Sequence, residues 1–299
     1  MVVRNMCADS ETTKTAGQQE SSAVEATSPD LIHADTGKIN KIYYFSGTGN
    51  TLACAKKIAG ILGNTELISI ASLQRGEEVD FGDAETVGIF HPVYCFGVPS
   101  IVMNFIERIK KTEKKIYVYS LCTSGGMKGS AHLIMEQALA KQDIKLNAYF
   151  HVKMPSNYIP LSKKPSPQQL VKIFDAADKK IVKIGDFIQK RESHTPLHVF
   201  PFDMIGEMVG KRSVSYIGDY DKYFWLTENC DGCEICEHIC PASNIIVMNG
   251  MPTWRGHCEQ CMACLQWCPK QAIQFRQVTL KRERYHHPDI QISELFRKN

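Results

Sequence analysis

The chain has 299 residues, more than one average domain and enough for two with connecting segments. Apolar residues make up 43%, an ordinary share for a soluble globular protein, and the net charge of +3 is spread along the chain, which gives no reason to invoke nucleic acid. No apolar run is long enough to span a bilayer, and the first residues lack the basic start and apolar core of a secretory signal.

Residues 1–38 are rich in Ser, Thr, Ala, Glu and Gln and show no apolar period, so a disordered tail is expected there. The texture changes at Lys41. Ile42–Phe45 reads as a strand, a Gly-rich turn follows, and Leu52, Ala55, Ala59 and Leu62 share one face of a helix. Further strands are expected at Leu67–Ile70, Val87–Phe90, Ile116–Tyr119 and Ala148–Val152, with helices near 99–110 and 130–140. Ser166-Pro167 opens a long helix, with Ser as cap and Pro in the first turn; Leu170, Ile173, Phe174, Ala177, Ile181, Ile184 and Ile188 form its buried stripe. Strands alternating with helices imply a parallel sheet covered on both faces, an α/β, doubly wound, five-stranded domain over 39–191. Residues 192–224, with Pro196, Pro201 and several apolar side chains, read as an ordered connector.

Eight of the 12 cysteines lie between Cys230 and Cys268. They form two copies of one unit: Cys230, Cys233, Cys236 and Cys240-Pro241, then Cys258, Cys261, Cys264 and Cys268-Pro269, each recurring at an offset of 28. Such clustering without a secretion signal favours metal over disulfides, and iron-holding thiolates need a reducing compartment, so a cytoplasmic protein is expected. Cysteines at steps of three let one tight loop offer three thiolates to one [4Fe–4S] cube, and the fourth, before proline, reaches the other cube. The expected ligand sets are therefore Cys230, Cys233, Cys236 with Cys268, and Cys258, Cys261, Cys264 with Cys240. Structural zinc is the competing reading, but it uses separated Cys pairs and needs no third Cys and no Cys-Pro. His238 and His257 lie among the cysteines and are expected at the surface. A small two-cluster α+β domain is assigned to 225–276, leaving 277–299 as a C-terminal tail. Lys281, Arg282, Arg284, His286 and His287 make that tail a basic, solvated face, though one able to dock an acidic partner. Residues 225–276 resemble the bacterial-type two-cluster ferredoxins, which implies low-potential, one-electron transfer.

The turn Ser46-Gly47-Thr48-Gly49-Asn50-Thr51 places hydroxyls and exposed N–H groups at a helix N-terminus and holds no Lys or Arg, the makings of an anion cradle. A dinucleotide fingerprint would need a third glycine where Leu52 stands, and a nucleotide-triphosphate loop would need Gly-Lys-Ser/Thr. An ordinary structural turn is the bland alternative. Ser46, Thr48, Gly49 and Thr51 match the phosphate loop of the flavodoxins, and in doubly wound sheets a ligand sits at the carboxyl ends of the strands.

Residues 40–276 as a whole resemble a family in which a flavodoxin-like domain precedes a two-cluster ferredoxin. The resemblance implies FMN, with Ser46, Gly47, Thr48, Gly49, Asn50 and Thr51 on its phosphate and Tyr94, Phe96, Gly97, Thr123, Gly125 and Gly126 along its ring. Taken singly, Tyr94 or Phe96 could equally be core, and Gly125-Gly126 an ordinary turn. Cys95 and Cys122 fall in the same loops and read as small buried hydrophobes, and His91 as a structural residue at a strand end. The functions left open are an electron carrier serving redox protein partners, with no catalytic residue of its own; a reductase of a quinone or nitro compound; and an interaction module whose clusters sense or stabilise. No nicotinamide site is visible in the sequence, so direct NAD(P)H oxidation is not expected.

Overall fold

The computed structural model describes residues 39–73, 76–196, 204, 206–210, 212 and 218–297; the expected tail at 1–38 and part of the connector lie outside them. Five parallel strands form the main sheet: β1 (Asn40–Tyr44), β2 (Thr65–Ser69), β3 (Thr86–Pro92), β4 (Tyr117–Ser124) and β5 (Leu146–Lys153), in the order β2-β1-β3-β4-β5. Returning from β2 through β1 to β3 creates the switch point at which such sheets bind ligands. β3 and β4 run further than the apolar pattern suggests. His91, Ser120, Cys122 and Thr123 are polar or small, yet all are buried, because a central parallel strand is covered on both faces. Gly88 in β3 has a packing reason: a Cβ there would stand 2.8 Å from the ring of Tyr119, its partner in the register.

Among the elements described in full, four helices cover the sheet: α1 (Asn50–Leu62), α2 (Ser100–Glu107), α3 (Ala131–Ala140) and α4 (Pro167–Gln189). α4 starts at a capping box, in which Ser166 Oγ accepts from Gln169 N–H and Gln169 reaches back to the Ser166 N–H. Its expected stripe faces inward, with Ala177, Ile181, Ile184 and Ile188 buried, and Gly185 lets it close on Ile61 of α1.

The cysteine-rich part has two antiparallel ribbons. β6 (Phe224–Leu226) pairs with β9 (Ile273–Phe275), and β7 (Ile245–Met248) with β8 (Met251–Trp254). The 28-residue repeat is present in the backbone as well as in the sequence. The one-turn helices α5 (Ile235–His238) and α6 (Ala263–Gln266) are offset by 28, and so are the left-handed residues Gly232/Gln260, Glu234/Met262 and Ser243/Gln271. Its core of Phe224, Ile245, Met262, Leu265, Ile273 and Phe275 also takes in Ile159 from beyond β5. The described residues cluster as one compact unit.

Two expectations are corrected. Residues 277–297 are not a solvated basic face: Tyr285, His287, Ile290 and Leu295 are buried, and Ile290 and Leu295 belong to the main core. Their inward side chains alternate with the charged residues that dominate the composition. Cys95 is exposed rather than buried, because Cys95 and Phe96, both at positive φ, form the tip of a tight turn closed by the Tyr94 and Gly97 backbones. Cys122 is buried as expected, Cys54 is buried as well, and burial pushes both thiols up to about 12. His238 and His257 are at the surface.

Candidate functional site

The first turn of α1 opens directly after β1. Gly49 stands at its N-cap with φ 94°, a conformation that favours glycine, and its N–H donates to Ser46 Oγ at 3.1 Å. The first N–H groups of a helix have no partner within it, so the 13-residue α1 presents unspent donors and its positive end here. The side chains are fixed from several directions. Thr51 Oγ1 and Thr123 Oγ1 share a hydrogen bond of 2.9 Å, tying this loop to the end of β4. Asn50 Nδ2 donates to the Pro155 carbonyl at 2.9 Å, and Asn50 Oδ1 accepts from the Tyr285 hydroxyl at 2.6 Å.

A cavity of about 740 Å³ lies over the carboxyl ends of the strands. Its wall contains Ser46, Gly47, Thr48, Asn50, Thr51, Tyr94, Phe96, Thr123 and Gly125 of the residues anticipated from the sequence; Gly49, Gly97 and Gly126 are not on it. Gly97 instead packs against Ile134 and Gly210, and Gly49 against His287 and Ile290. The wall also holds Met154, Pro155, Asn157 and Tyr158 after β5, and Gln260, Phe275 and Arg276 from the cysteine-rich part. The size suits a drug-sized ligand, for which pockets of ~300–1,000 Å³ are typical. FMN fits the donor set: a phosphate at hydroxyls and a helix end, and a flat aromatic system among Tyr94, Phe96 and glycine backbone. The buried Tyr94 hydroxyl lacks a protein partner, and burial holds its pKa well above the ordinary tyrosine value.

The cysteines surround two small hollows. One is lined by Cys230, Cys233, Cys236 and Cys268 with Pro269, Val247 and Ile273; the other by Cys240, Cys258, Cys261 and Cys264 with Phe224, Trp254 and Met262. Each hollow thus draws three cysteines from one copy of the repeat and the fourth from the other. Among the described residues no group of three or more His, Cys, Asp or Glu side chains gathers tightly enough for a single metal ion. Four cysteines round each hollow match the donor set of a [4Fe–4S] cube, which takes four thiolates. Backbone N–H groups point at three of the sulfurs: Asn244 to Cys240 at 3.2 Å, Gln260 to Cys258 at 3.2 Å and Ala272 to Cys268 at 3.3 Å. Two of these are equivalent under the repeat. Burial pushes the Cys236 and Cys258 thiols up to about 12, and those of Cys261 and Cys264 well above the ordinary value. Thiolates at such positions need a bound cationic centre to be stable.

Cavity and cysteine loop share a surface. Trp267 Nε1–H donates to the Gly47 carbonyl at 3.1 Å. A Cβ on Gly47 would stand 2.7 Å from the Cys261 carbonyl oxygen, so Gly47 also serves close approach of the two backbones. Asn157 Nδ2 donates to Thr48 Oγ1 at 3.1 Å, and its carbonyl accepts from Gln266 Nε2 at 2.7 Å. The segment after β9 completes the junction. His287 N–H donates to the Thr48 carbonyl at 2.8 Å, Tyr285 N–H to Gln266 Oε1 at 2.8 Å, and the His286 ring stacks on Trp267 at 4.0 Å. Sequence reasoning passed over Trp267, Asn157 and Tyr285, and it placed His287 on a solvated face. Only Trp267 carried a signal, as a large aromatic beside a ligand cysteine.

His91 is fully buried in β3, with Nδ1 2.9 Å from the Pro92 carbonyl and Nε2 unpartnered. Burial, opposed by that carbonyl, lowers its pKa to about 4, so it is a neutral core residue.

Comparisons with known proteins agree with this division. The flavodoxin domain family matches residues 41–156 and the 4Fe-4S dicluster domain family residues 229–273. No curated protein matches the chain. Similar solved structures include a flavoprotein in complex with FMN from Lactobacillus acidophilus, 15% identical over 38% of this chain and 93% of that one, TM-score 0.33. Others are oxidised flavodoxin 2 from Bacillus cereus (14%, 50% and 98%, 0.34) and the two-electron reduced flavodoxin of Megasphaera elsdenii (18%, 47% and 99%, 0.31). The chain joins an N-terminal flavodoxin domain to a C-terminal 4Fe-4S dicluster domain, the combination of an FMN and iron–sulfur electron-transfer protein.

Proposed function

We propose that this protein exchanges electrons with redox protein partners through FMN and two [4Fe–4S] clusters held in one chain. The observation that carries the reading is the contact of Gly47 with Cys261, which sets the phosphate loop directly against a cluster loop. Ser46, Thr48, Asn50 and Thr51 with the N-terminus of α1 would hold the FMN phosphate, and Tyr94, Phe96, Thr123 and Gly125 would flank the ring. Cys230, Cys233, Cys236 and Cys268 would hold one cluster, and Cys240, Cys258, Cys261 and Cys264 the other. When bound, flavin supplies two-electron capacity and each cluster one-electron capacity, so a two-electron event can be divided into single transfers.

The chain's own residues position and insulate. Gly47 and Trp267 hold the cavity wall against the loop of Cys258–Cys264, the cysteine set nearer the cavity. Tyr158 and Gln260 share that wall. Thr51 and Thr123 fix the two strand-end loops relative to each other. No helix among the described residues is long and apolar enough to cross a membrane. Eight thiols that must stay reduced support a cytosolic setting.

A second reading has an observation of its own. Phe275 and Arg276 of the cysteine-rich part, with Tyr220 just before it, line the cavity, so the ligand would lie in a concave site. That arrangement suits reduction of a small acceptor such as a quinone or nitro compound. Anaerobic purification with iron, sulfide and flavin measured on one sample tests the common ground: about eight iron and one FMN per chain are expected. Zinc in place of iron, or absent flavin, would break the reading. Saturable turnover of a small acceptor without any protein partner would favour the reductase over the carrier.

A further inference from the structure

Among the described residues that line the cavity one is charged, Arg276, which is exposed, and none is Asp or Glu. Its guanidinium lies over the Tyr223 ring, 4.2 Å from the centroid. The backbone beneath is pinned on both sides: Arg276 N–H donates to the Tyr223 carbonyl at 2.9 Å, and the Arg276 carbonyl accepts from Trp225 Nε1 at 2.9 Å. Arg276 also has φ 47°, a conformation that a non-glycine residue keeps only when its surroundings hold it. Stacking holds a guanidinium by its face and leaves the in-plane N–H donors free. No ion pair or side-chain hydrogen bond of Arg276 is present among the described residues. Lys222 Nζ stands 5.5 Å from the same Tyr223 ring, which adds positive potential beside the mouth. Phe96, Leu161, Tyr220 and Val278 give that mouth an exposed apolar rim.

A stacked, forked cation on a residue that lines the cavity suits a planar anion. The phosphate loop contains no Lys or Arg, so it draws on helix donors and hydroxyls, and Arg276 belongs to a different chain segment. We propose that the cavity has, beyond its FMN subsite, a binding site for a small carboxylate with an apolar or aromatic body, anchored by Arg276 and seated on the aromatic rim. The proposal rests on the FMN reading and names the ligand class that the remaining cavity takes.

The test uses the full chain with its iron and flavin measured, titrated with benzoate and with its neutral isostere benzamide. Binding is read both from the visible flavin spectrum and by calorimetry. Benzoate is expected to saturate and benzamide to bind at least tenfold more weakly. Arg276→Gln should weaken benzoate at least tenfold with flavin and iron content unchanged, and Arg276→Lys should recover only part, because an ammonium lacks the fork. Equal binding of the two probes, no benzoate binding, or unchanged affinity in Arg276→Gln would overturn the site. So would loss of flavin from Arg276→Gln and Arg276→Lys alike, which would assign the residue to FMN. A wild-type chain that purifies without flavin counts against the FMN reading alone; Arg276-dependent benzoate binding by calorimetry would then still support the site, and its absence would refute it.

Discussion

The indole N–H of Trp267 reaches the carbonyl of Gly47 at 3.1 Å across 220 residues of sequence. It joins a residue flanked by cluster cysteines to the loop proposed to hold the flavin phosphate. Trp267→Phe keeps most of the ring and removes this bond, a loss of about 1 kcal/mol. FMN affinity, measured by fluorescence titration of the released flavin, is expected to fall severalfold while iron content stays unchanged. Unaltered affinity would mean that the contact does not shape the loop.

Gly47 itself is limited by space. Gly47→Ala would place a methyl group 2.7 Å from the Cys261 carbonyl, which must shift. Overpacking of this kind costs about 1–3 kcal/mol. The variant should melt earlier than the wild type and lose flavin more readily. Gly60→Ala, where an added Cβ meets nothing within 4 Å, is the matched control.

The crossed cysteine sets predict which cube is lost with which residue. Cys240→Ser should remove the cluster of the Cys258–Cys264 loop, and Cys268→Ser that of the Cys230–Cys236 loop. Each variant should retain about four of eight iron. The two should also differ in rate: flavin reduction through the clusters should slow more in Cys240→Ser, because its hollow adjoins Gly47. Stopped-flow anaerobic reduction separates them, and identical rates would refute the assignment of the nearer cluster.

His91 gives a pH signature. It is buried and neutral, with a folded-state pKa of about 4 against an ordinary 6.5. The unfolded chain therefore binds a proton first, and this contribution is full above pH 6.5 and lost as pH falls from 6.5 toward 4. The full span is on the order of 3 kcal/mol. The difference in unfolding midpoint between wild type and His91→Gln should narrow steadily over that window, since His151 and His287 remain in both proteins. A difference independent of pH would show that His91 is protonated in the fold.

The sequence carried the cluster motif because its information is local: eight cysteines and two prolines at fixed spacing define both loops. The Gly-rich turn at the cavity was legible for the same reason, since Ser46–Thr51 are contiguous. The ring loops were less so. Composition shows glycines at 97 and 126 but not which way the backbone turns, and neither lines the cavity. The segment after Lys281 was misread because Arg282, Arg284 and His286 mask the inward Tyr285, His287 and Ile290. Their burial depends on partners such as Asn50 and Thr48, far away in the chain. Arg276 gave no signal at all, because its role comes from where β9 brings it.

The bond from Tyr285 to Asn50 spans 235 residues. At roughly 5–20 residues per second, a growing chain makes the Gly-rich turn tens of seconds before it makes the tyrosine that steadies it. During that interval the strands and helices of the first part can form, but the cradle lacks the Tyr285 hydroxyl, the His287 amide and the Trp267 indole. Flavin would therefore be captured firmly only after the cysteine loops have emerged, which gives biosynthesis an order: the loops proposed to hold the clusters are made before the cradle can close on flavin.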